Sequence, residues 1–300
     1  MMQDIFVDEN DPRRAGALVR FAPSPNGFLH LGHAYSALRN FDLARKSGGR
    51  FLLRIEDIDI GRAREQFVDA IYEDLSWLGL TWEEPVRRQS EHYGEYALAL
   101  ERLGALGVVY SCFCSRSEIA NVLRDEAGWP RDPDGTPLYP GTCRNISPAD
   151  HARKAASQIP VAQRLNMRAA ISLMAGPLGW REFGEGEQAR DITAQPSIWG
   201  DSVVGRKDVP GSYHVAVVVD DALQGITDVV RGMDLFETTS LHRLLQELLG
   251  LPALNYHHHK LIHDDSGAKL SKSAQSQSLR DLRQAGQSAQ DIRHFLGFDW

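Results

Sequence analysis

The first 80 residues alternate between apolar runs of strand length and segments with helical periodicity, and this order restricts the fold more than any other feature. The runs Ala17–Phe21 and Arg50–Ile55 predict strands. Between them, apolar residues recur at helical spacing from Leu31 to Lys46, and a glycine pair ends that segment. A second amphipathic helix is predicted over Glu65–Leu78. This order of strands and helices predicts an α/β fold with a parallel sheet and crossover helices.

The remainder of the chain adds helices, one apolar run and an irregular segment. Helices are predicted over Tyr93–Leu106 and Leu241–Leu249, the second of which ends at a glycine. Val215–Val219 is a continuous apolar run, which is typical of a buried central strand. Residues 110–146 contain all three cysteines and are expected to form an irregular insertion. The tail after residue 273 is predicted to be helical and mostly polar.

Charge and cysteine content restrict the class of protein. The chain has 33 Lys and Arg against 40 Asp and Glu, a net charge of −7, which excludes a generally basic nucleic-acid coat but not a local basic groove. It shows no apolar run of membrane-spanning length and no secretory signal. An odd count of three cysteines argues against a disulfide framework, so we expect a cytoplasmic protein without membrane contact.

Two short motifs indicate nucleotide chemistry. His30-Leu31-Gly32-His33 lies where the first predicted strand turns into a helix, and a helix N-terminus offers free N–H groups to phosphate. Lys269-Leu270-Ser271-Lys272-Ser273 carries two lysines that could neutralise charge developing on a triphosphate. Taken singly, the first motif could be two unrelated histidines on a helix, and the second a solvated basic loop.

Together the two motifs resemble the HIGH and KMSKS signatures of class I aminoacyl-tRNA synthetases. Four further segments resemble the glutamyl branch of that family: residues 20–27, 54–59, 218–221 and 231–235. The resemblance runs in order from residue 17 to residue 273. Departures are mild, since Asn26 replaces the usual Thr and Leu270 the usual Met. The implied fold is a Rossmann-like catalytic domain with a parallel sheet, an inserted zinc-binding subdomain and a short C-terminal helical segment.

The resemblance also implies a domain organisation. Residues 1–16 form an N-terminal extension, and residues 17–110 and 201–255 form the two halves of the catalytic domain. Residues 111–200 form the insertion, and residues 256–300 form the KLSKS loop with a helical tail. Only 27 residues follow the KLSKS motif, whereas a full glutamyl-tRNA synthetase continues into a long anticodon-binding region. The expected pattern, without an anticodon-binding domain, is similar to the glutamyl-queuosine tRNA(Asp) synthetases.

This resemblance implies a ligase that uses ATP, with Mg²⁺, to activate L-glutamate as glutamyl-adenylate without tRNA. The second step transfers glutamate to the queuosine base at the wobble position of tRNA(Asp), so the expected RNA partner is the anticodon stem-loop. The protein is expected to be a monomer. Arg116, Arg144 and Lys207 are predicted to contact phosphates. Alternatives are a short glutamyl-tRNA synthetase that charges a 3′ end, a glutamyl ligase acting on a small amine, and a non-catalytic tRNA-binding module.

The expected glutamate pocket follows from the charges of the substrate. An ammonium and two carboxylates require at least one carboxylate and one arginine from the protein. Arg20 and Glu56 end the first two predicted strands and could face one crevice. The resemblance implies glutamate contacts from Arg20, Phe21, Ala22, Pro23, Ser24, Glu56, Tyr213 and Arg231, with Arg20 or Arg231 on the side-chain carboxylate. It assigns catalysis to His30, His33, Lys269 and Lys272, and ATP binding to His30, Gly32, His33, Lys269, Ser271 and Lys272.

Three cysteines in one irregular segment suggest a structural zinc site, because zinc prefers four soft or borderline ligands. The resemblance adds Tyr139 to Cys112, Cys114 and Cys143, while His151, Asp132 and Asp134 remain open as the fourth ligand. Packed, reduced thiols are the alternative. The run His257–His259 cannot converge on one ion from a strand, because neighbouring side chains point to opposite faces. Asp220 and Asp221 fit either a magnesium site or buried carboxylates that cap a loop.

Overall fold

In this computed structural model, residues 16–186, 188–262 and 277–300 are described and contain ten α-helices and ten β-strands. The strands are β1 Leu18–Phe21, β2 Arg50–Ile55, β3 Glu83–Arg88, β4 Val109–Cys112, β5 Ala162–Leu165, β6 Gly179–Glu182, β7 Arg190–Thr193, β8 Val203–Gly205, β9 Asp228–Gly232 and β10 Asn255–His259. The helices are α1 Leu31–Ser47, α2 Glu65–Trp77, α3 Tyr93–Ala105, α4 Arg116–Val122, α5 Pro148–Ala156, α6 Met167–Ser172, α7 Tyr213–Leu223, α8 Thr238–Leu249, α9 Leu279–Gln284 and α10 Ala289–Phe295.

The sheet order confirms the predicted α/β class. Strands β1, β2 and β3 pair in parallel, and β9, β10 and β6 form a second parallel group with β7 antiparallel at its edge. The two groups meet where Thr227 N–H donates to the Leu18 carbonyl at 3.0 Å. From this junction the chain winds outward in both directions, from β1 to β2 and from β9 to β10. A ligand crevice is expected at the carboxyl ends of strands where the winding reverses.

The first crossover helix is held in place at both ends by its own sequence. The His30 side chain caps α1, accepting a hydrogen bond from Gly32 N–H. At the other end Gly48 adopts a left-handed conformation with φ of 65°, which glycine adopts without strain. Ala34 and Leu38 of α1 are fully buried in the core beneath β1 and β2. The start of α1 is therefore fixed at the carboxyl end of β1.

A separate antiparallel sheet carries the cysteine segment. Strand β5 pairs with β4 on one side and with β8 on the other. The cysteines lie in a small buried cluster with Phe113 and Tyr139, apart from the two larger cores. Helices α4 and α5 begin at serine caps and bury no residue fully. No helix in the described part of the chain is long and apolar enough to cross a bilayer.

The predicted strand Val215–Val219 is wrong, because these residues belong to helix α7. All five side chains are buried in the core shared with α3 and α8. A helix that is apolar on every side gives the same unbroken run as a buried strand, so periodicity cannot separate the two. Ser212 caps the helix, and its last turn carries Asp220 and Asp221. The tail is helical as predicted, but it also contributes buried side chains to the core: Leu279, Leu282, Ile292, Leu296 and Phe298.

Candidate active site

A cleft of about 480 Å³ opens at the carboxyl ends of β1 and β9, at the junction of the two parallel groups. It is lined by the β1–α1 loop, the start of α1 and the residues that follow β2, β9 and β10. All members of the predicted glutamate and ATP sets within the described residues line it: Arg20, Phe21, Ala22, Pro23, Ser24, His30, Gly32, His33, Glu56, Tyr213 and Arg231. Lys269, Ser271 and Lys272 lie outside the described residues.

The two signature histidines have their ring tautomers fixed by the backbone of α1. Gly32 N–H donates to His30 Nδ1 at 3.1 Å, and His30 N–H donates to His33 Nδ1 at 3.2 Å. Because each Nδ1 accepts, the proton of a neutral ring lies on Nε2, which is then a donor suited to phosphate oxygens. A Cβ at Gly32 would lie 3.0 Å from the His30 ring, so a side chain there would disturb this cap.

On one side of the cleft, Arg20 is already paired with a carboxylate. Its Nε and Nη2 donate to the two oxygens of Asp221 at 2.9 and 3.3 Å, and both residues are buried. Asp221 also accepts a hydrogen bond at 2.8 Å from Arg54, which is fully buried and reaches Glu56 at 3.3 Å. Asp220 accepts from Arg87 and forms further hydrogen bonds within the same core. These carboxylates therefore tie α7 to β1, β2 and β3.

The protonation of this side follows from burial and pairing. Burial alone would raise the pKa of Asp221, but Arg20 and Arg54 together hold it below its usual value. Burial raises the pKa of Glu56 in spite of the two neighbouring arginines. Glu56 lines the cleft, so a cationic ligand group would favour its charged form. Both aspartates are buried, as the second alternative predicted, but they pair with arginines from the last turn of α7 and do not cap a loop.

On the other side of the cleft, Arg231 is held by uncharged groups. Its Nε donates to His258 Nε2 at 3.1 Å and its Nη1 to His242 Nδ1 at 3.3 Å. Its Nη2 donates to Thr239 Oγ1 at 2.7 Å and to the Leu235 carbonyl at 3.1 Å. Among the described residues, no carboxylate lies within 4 Å of this guanidinium, although Arg231 is 95% buried.

The histidines around Arg231 stay neutral at physiological pH. Burial and the charge of Arg231 lower the pKa of His214 to about 4 and that of His242 well below 6.5. Burial also lowers the pKa of His258, although Glu182 opposes the shift. Burial alone would raise the pKa of Glu182, but hydrogen bonds from His258 and Gly184 hold it at about 2.

Tyr213 lies between the two sides at the start of α7. Its ring centroid is 5.7 Å from that of His242, and burial raises the pKa of its hydroxyl to about 12, so this group remains a donor. Tyr213 and Glu56 also line a smaller cavity of about 250 Å³ that adjoins the cleft. Ser24 and Asn26 are shared between the two spaces as well. The wall that carries these four residues therefore faces two spaces.

The three cysteines come together in the insertion. Their sulfurs lie within 4.8 Å of one another, and Cys114 Sγ is 3.5 Å from Cys143 Sγ. Three thiolates on a tetrahedral zinc ion with Zn–S bonds of 2.3 Å would lie about 3.8 Å apart, so this spacing fits zinc. No histidine or carboxylate of the described residues completes the group, which leaves out His151, Asp132 and Asp134.

The Tyr139 hydroxyl lies beside the group of three sulfurs. It lies 3.4 Å from Cys114 Sγ and accepts a hydrogen bond at 2.9 Å from Cys143 N–H. The Arg164 guanidinium covers the Tyr139 ring at 3.9 Å and donates to Cys112 Sγ at 3.3 Å. This cation would offset the negative charge of three thiolates bound to a metal ion.

Two groups of residues that shape the site escaped prediction from the sequence. Arg54 binds Asp221, while Thr239 and His242 hold Arg231 from helix α8. Only the histidine run gave a signal, and its three rings have different partners: Asp228, Glu182 and the Lys260 carbonyl. Of the predicted phosphate contacts, Arg144 pairs with Asp201 at 2.7 Å and Lys207 donates to the Phe113 carbonyl at 3.4 Å, while Arg116 begins α4.

Comparisons of the sequence and of the structure with known proteins all find class I tRNA synthetases. The model of the family described as tRNA synthetases class I (E and Q), catalytic domain, matches residues 17–298. The chain is 46% identical over 284 residues to the glutamyl-Q tRNA(Asp) synthetase of Rhodobacter capsulatus, which covers 93% of this chain and 99% of that protein. It is 39% identical to the glutamyl-Q tRNA(Asp) synthetase of Nitratidesulfovibrio vulgaris, over 92% of this chain and 84% of the other.

A solved structure supports the same relationship. The crystal structure of glutamate-tRNA synthetase from Elizabethkingia anophelis superimposes with a TM-score of 0.71 at 27% identity. The match covers 91% of this chain and 54% of the other, so the chain spans about half the length of that synthetase.

Proposed function

Because the chain belongs to the class I tRNA synthetases for glutamate and glutamine, and is therefore a ligase, we propose that it activates L-glutamate with ATP in the absence of tRNA and transfers it to the queuosine base of tRNA(Asp). One observation supports the choice of glutamate above the rest. Arg231 is a buried cation in the cleft whose partners among the described residues are all uncharged, and a substrate carboxylate would supply the missing negative charge.

Glutamate fits the cleft by the charges of its three groups. Its side-chain carboxylate accepts hydrogen bonds from Arg231, which can only donate, and from the Tyr213 hydroxyl. Its ammonium lies near Glu56, the carboxylate that lines the same space. Arg20 lines the same cleft but keeps its pair with Asp221, so Arg231 is the arginine assigned to the side-chain carboxylate. Glutamine is a poor substrate, because its neutral amide cannot neutralise Arg231 and its amide hydrogens cannot be accepted by the guanidinium.

In the first step, an oxygen of the glutamate α-carboxylate attacks the α-phosphorus of ATP. The bond to the bridging oxygen breaks, and glutamyl-adenylate and pyrophosphate form. No protein nucleophile is needed, so the protein acts by positioning the reactants and by stabilising charge. The Nε2–H groups of His30 and His33 bind phosphate oxygens, and Lys269 and Lys272 stabilise the leaving pyrophosphate. Mg²⁺ that accompanies ATP offsets part of the phosphate charge.

In the second step, a hydroxyl of the queuosine cyclopentene ring attacks the activated carbonyl, the hydroxyl proton is released and AMP leaves. The adjoining cavity beside Tyr213 and Glu56 gives the acceptor a route that does not pass through the nucleotide site. A wobble base splayed out of the anticodon loop can reach such a cavity, which is a normal mode of RNA recognition. The names of the relatives with 46% and 39% identity support this acceptor.

The acceptor is tested by transfer of radiolabelled glutamate to purified tRNA(Asp) with and without queuosine. We expect label only on the queuosine-containing tRNA, and we expect it to remain after enzymatic removal of the 3′-terminal adenosine. Label on tRNA(Glu), or label lost with the terminal adenosine, would identify a short glutamyl-tRNA synthetase instead. Label on a small amine without any tRNA would identify a glutamyl ligase of another kind.

The cysteine cluster is proposed to bind one structural zinc ion through Cys112, Cys114, Cys143 and the Tyr139 hydroxyl. Its supporting observation is the 4.8 Å grouping of three thiols around that hydroxyl. Elemental analysis of protein purified without chelator should give one zinc per chain. Cys112→Ser should lower the zinc content and loosen the insertion while ATP still binds, because the cluster lies apart from the cleft. Zinc-free protein with an unchanged melting temperature would contradict this assignment.

A further inference from the structure

The hydrogen bonds of Arg231 determine the protonation of the two imidazole rings that accept them. A guanidinium only donates, so His258 Nε2 and His242 Nδ1 must be unprotonated acceptors. The proton of His258 then lies on Nδ1, from which it is donated to Glu182 at 2.6 Å. The proton of His242 lies on Nε2 and is donated to His214 Nδ1 at 3.3 Å. Two neutral rings thus fix the guanidinium plane from two sides.

This arrangement uses four of the five guanidinium N–H groups and leaves one. Nε–H, one hydrogen of Nη1 and both hydrogens of Nη2 have acceptors in the protein. The second Nη1 hydrogen has no acceptor among the described residues, and Arg231 lines the cleft. The Arg231 guanidinium is therefore fully oriented without a ligand, whereas its positive charge is not neutralised.

We propose that His242 and His258 are positioning and specificity-determining residues: as neutral acceptors they fix Arg231 without neutralising it, and this sets the preference for the glutamate side-chain carboxylate over the glutamine amide. The inference rests on the proposed activation of glutamate. Glu182 is connected to Arg231 through His258, so its charge stays one ring away from the guanidinium.

The opposite side of the cleft shows what a carboxylate in that position does. Asp221 engages Arg20 through two oxygens and offsets its charge. A carboxylate in place of His242 would engage Arg231 in the same way and compete with the substrate. The unneutralised positive charge of Arg231 would be lost, and with it the discrimination between an acid and an amide.

The test compares His242→Asn with His242→Asp, two side chains of equal size that differ in charge. Asparagine retains an acceptor near the position of Nδ1, whereas aspartate places a carboxylate beside Arg231. In ATP–pyrophosphate exchange we expect His242→Asn to keep the KM for glutamate within about fivefold of wild type. His242→Asp should raise that KM roughly twentyfold or more, with a smaller change in kcat, and should lower the preference for glutamate over glutamine.

Equal KM values and equal glutamate preference in the two variants would overturn the inference. Absence of exchange in the wild-type protein would instead refute the proposed function. If His242→Asp fails to fold, as judged by its melting curve, Thr239→Val and Thr239→Ser replace it. Serine keeps the acceptor that holds Nη2 and valine removes it, so only Thr239→Val should raise the KM for glutamate. Identical KM values in that pair would also overturn the inference.

Discussion

The two buried arginines of the cleft, Arg20 and Arg231, lie in opposite electrostatic surroundings. Arg20 binds Asp221 through two hydrogen bonds, whereas Arg231 binds two neutral imidazoles, a hydroxyl and a carbonyl. Both are 5% exposed, so burial alone does not distinguish them. The contrast between Arg20 and Arg231 indicates that the partners of a buried cation determine its role. A paired arginine stabilises the fold, and an unneutralised one in a cleft can bind an anion.

The paired side forms a network that spans several elements. Arg54 contacts Asp221 and Glu56, and Arg87 bridges Asp220 and Glu95. These interactions link helix α7 to three parallel strands. Since the network positions Arg20 and Glu56 at the cleft, it acts on the site through the fold.

The largest effect is expected from Asp221→Ala, which leaves Arg20 and Arg54 buried without their shared carboxylate. We expect a loss of about 3–5 kcal/mol in the free energy of unfolding, measured by urea denaturation. Asp208→Ala serves as the control, because Asp208 pairs with Arg206 at the surface and its loss should cost less than about 1 kcal/mol. Similar losses in both variants would mean that the buried network contributes little to stability.

Arg231→Gln is expected to affect binding more than folding. The variant keeps a polar side chain but removes the cation, so kcat/KM for glutamate in pyrophosphate exchange should fall about 100-fold. Arg243→Gln is the matched control, since Arg243 is equally buried but binds the Gly179 carbonyl and Gln246 rather than lining the cleft. If both variants lose the same activity, Arg231 has no special role and the contrast between the two arginines fails.

The two sides should also respond to acid in different pH ranges. The folded-state pKa values of His214, His242 and His258 are lowered, so below about 6.5 the unfolded chain binds more protons and stability falls towards pH 4. The pKa of Asp221 is also lowered, but its ordinary value already lies below 4, so its contribution to stability is lost only in stronger acid. Hydrogen exchange at pH 7 and pH 5 should show β9 and α8 losing protection before β1 and β2. Equal loss in both regions would contradict this.

The fold class was predictable because alternating strands and helices near the N-terminus have distinct periodicities. Helix α7 was not, since Val215–Val219 is buried on all sides and its apolar run carries no period. Residues that line the cleft were predictable where they lie in motifs, as His30 and Arg20 do. The partners of Arg231 were not predictable, because Thr239 and His242 reach this β9 residue from helix α8 and lie in no motif that signals a site. Such contacts depend on how elements pack and leave no local pattern.

ATP–pyrophosphate exchange without tRNA shows whether this cleft activates glutamate by itself. With glutamate, ATP and Mg²⁺, the protein should exchange labelled pyrophosphate into ATP, and glutamine should be at least about 100-fold less effective in kcat/KM. Exchange that requires tRNA, or that proceeds equally well with glutamine, would refute tRNA-independent activation that is selective for glutamate.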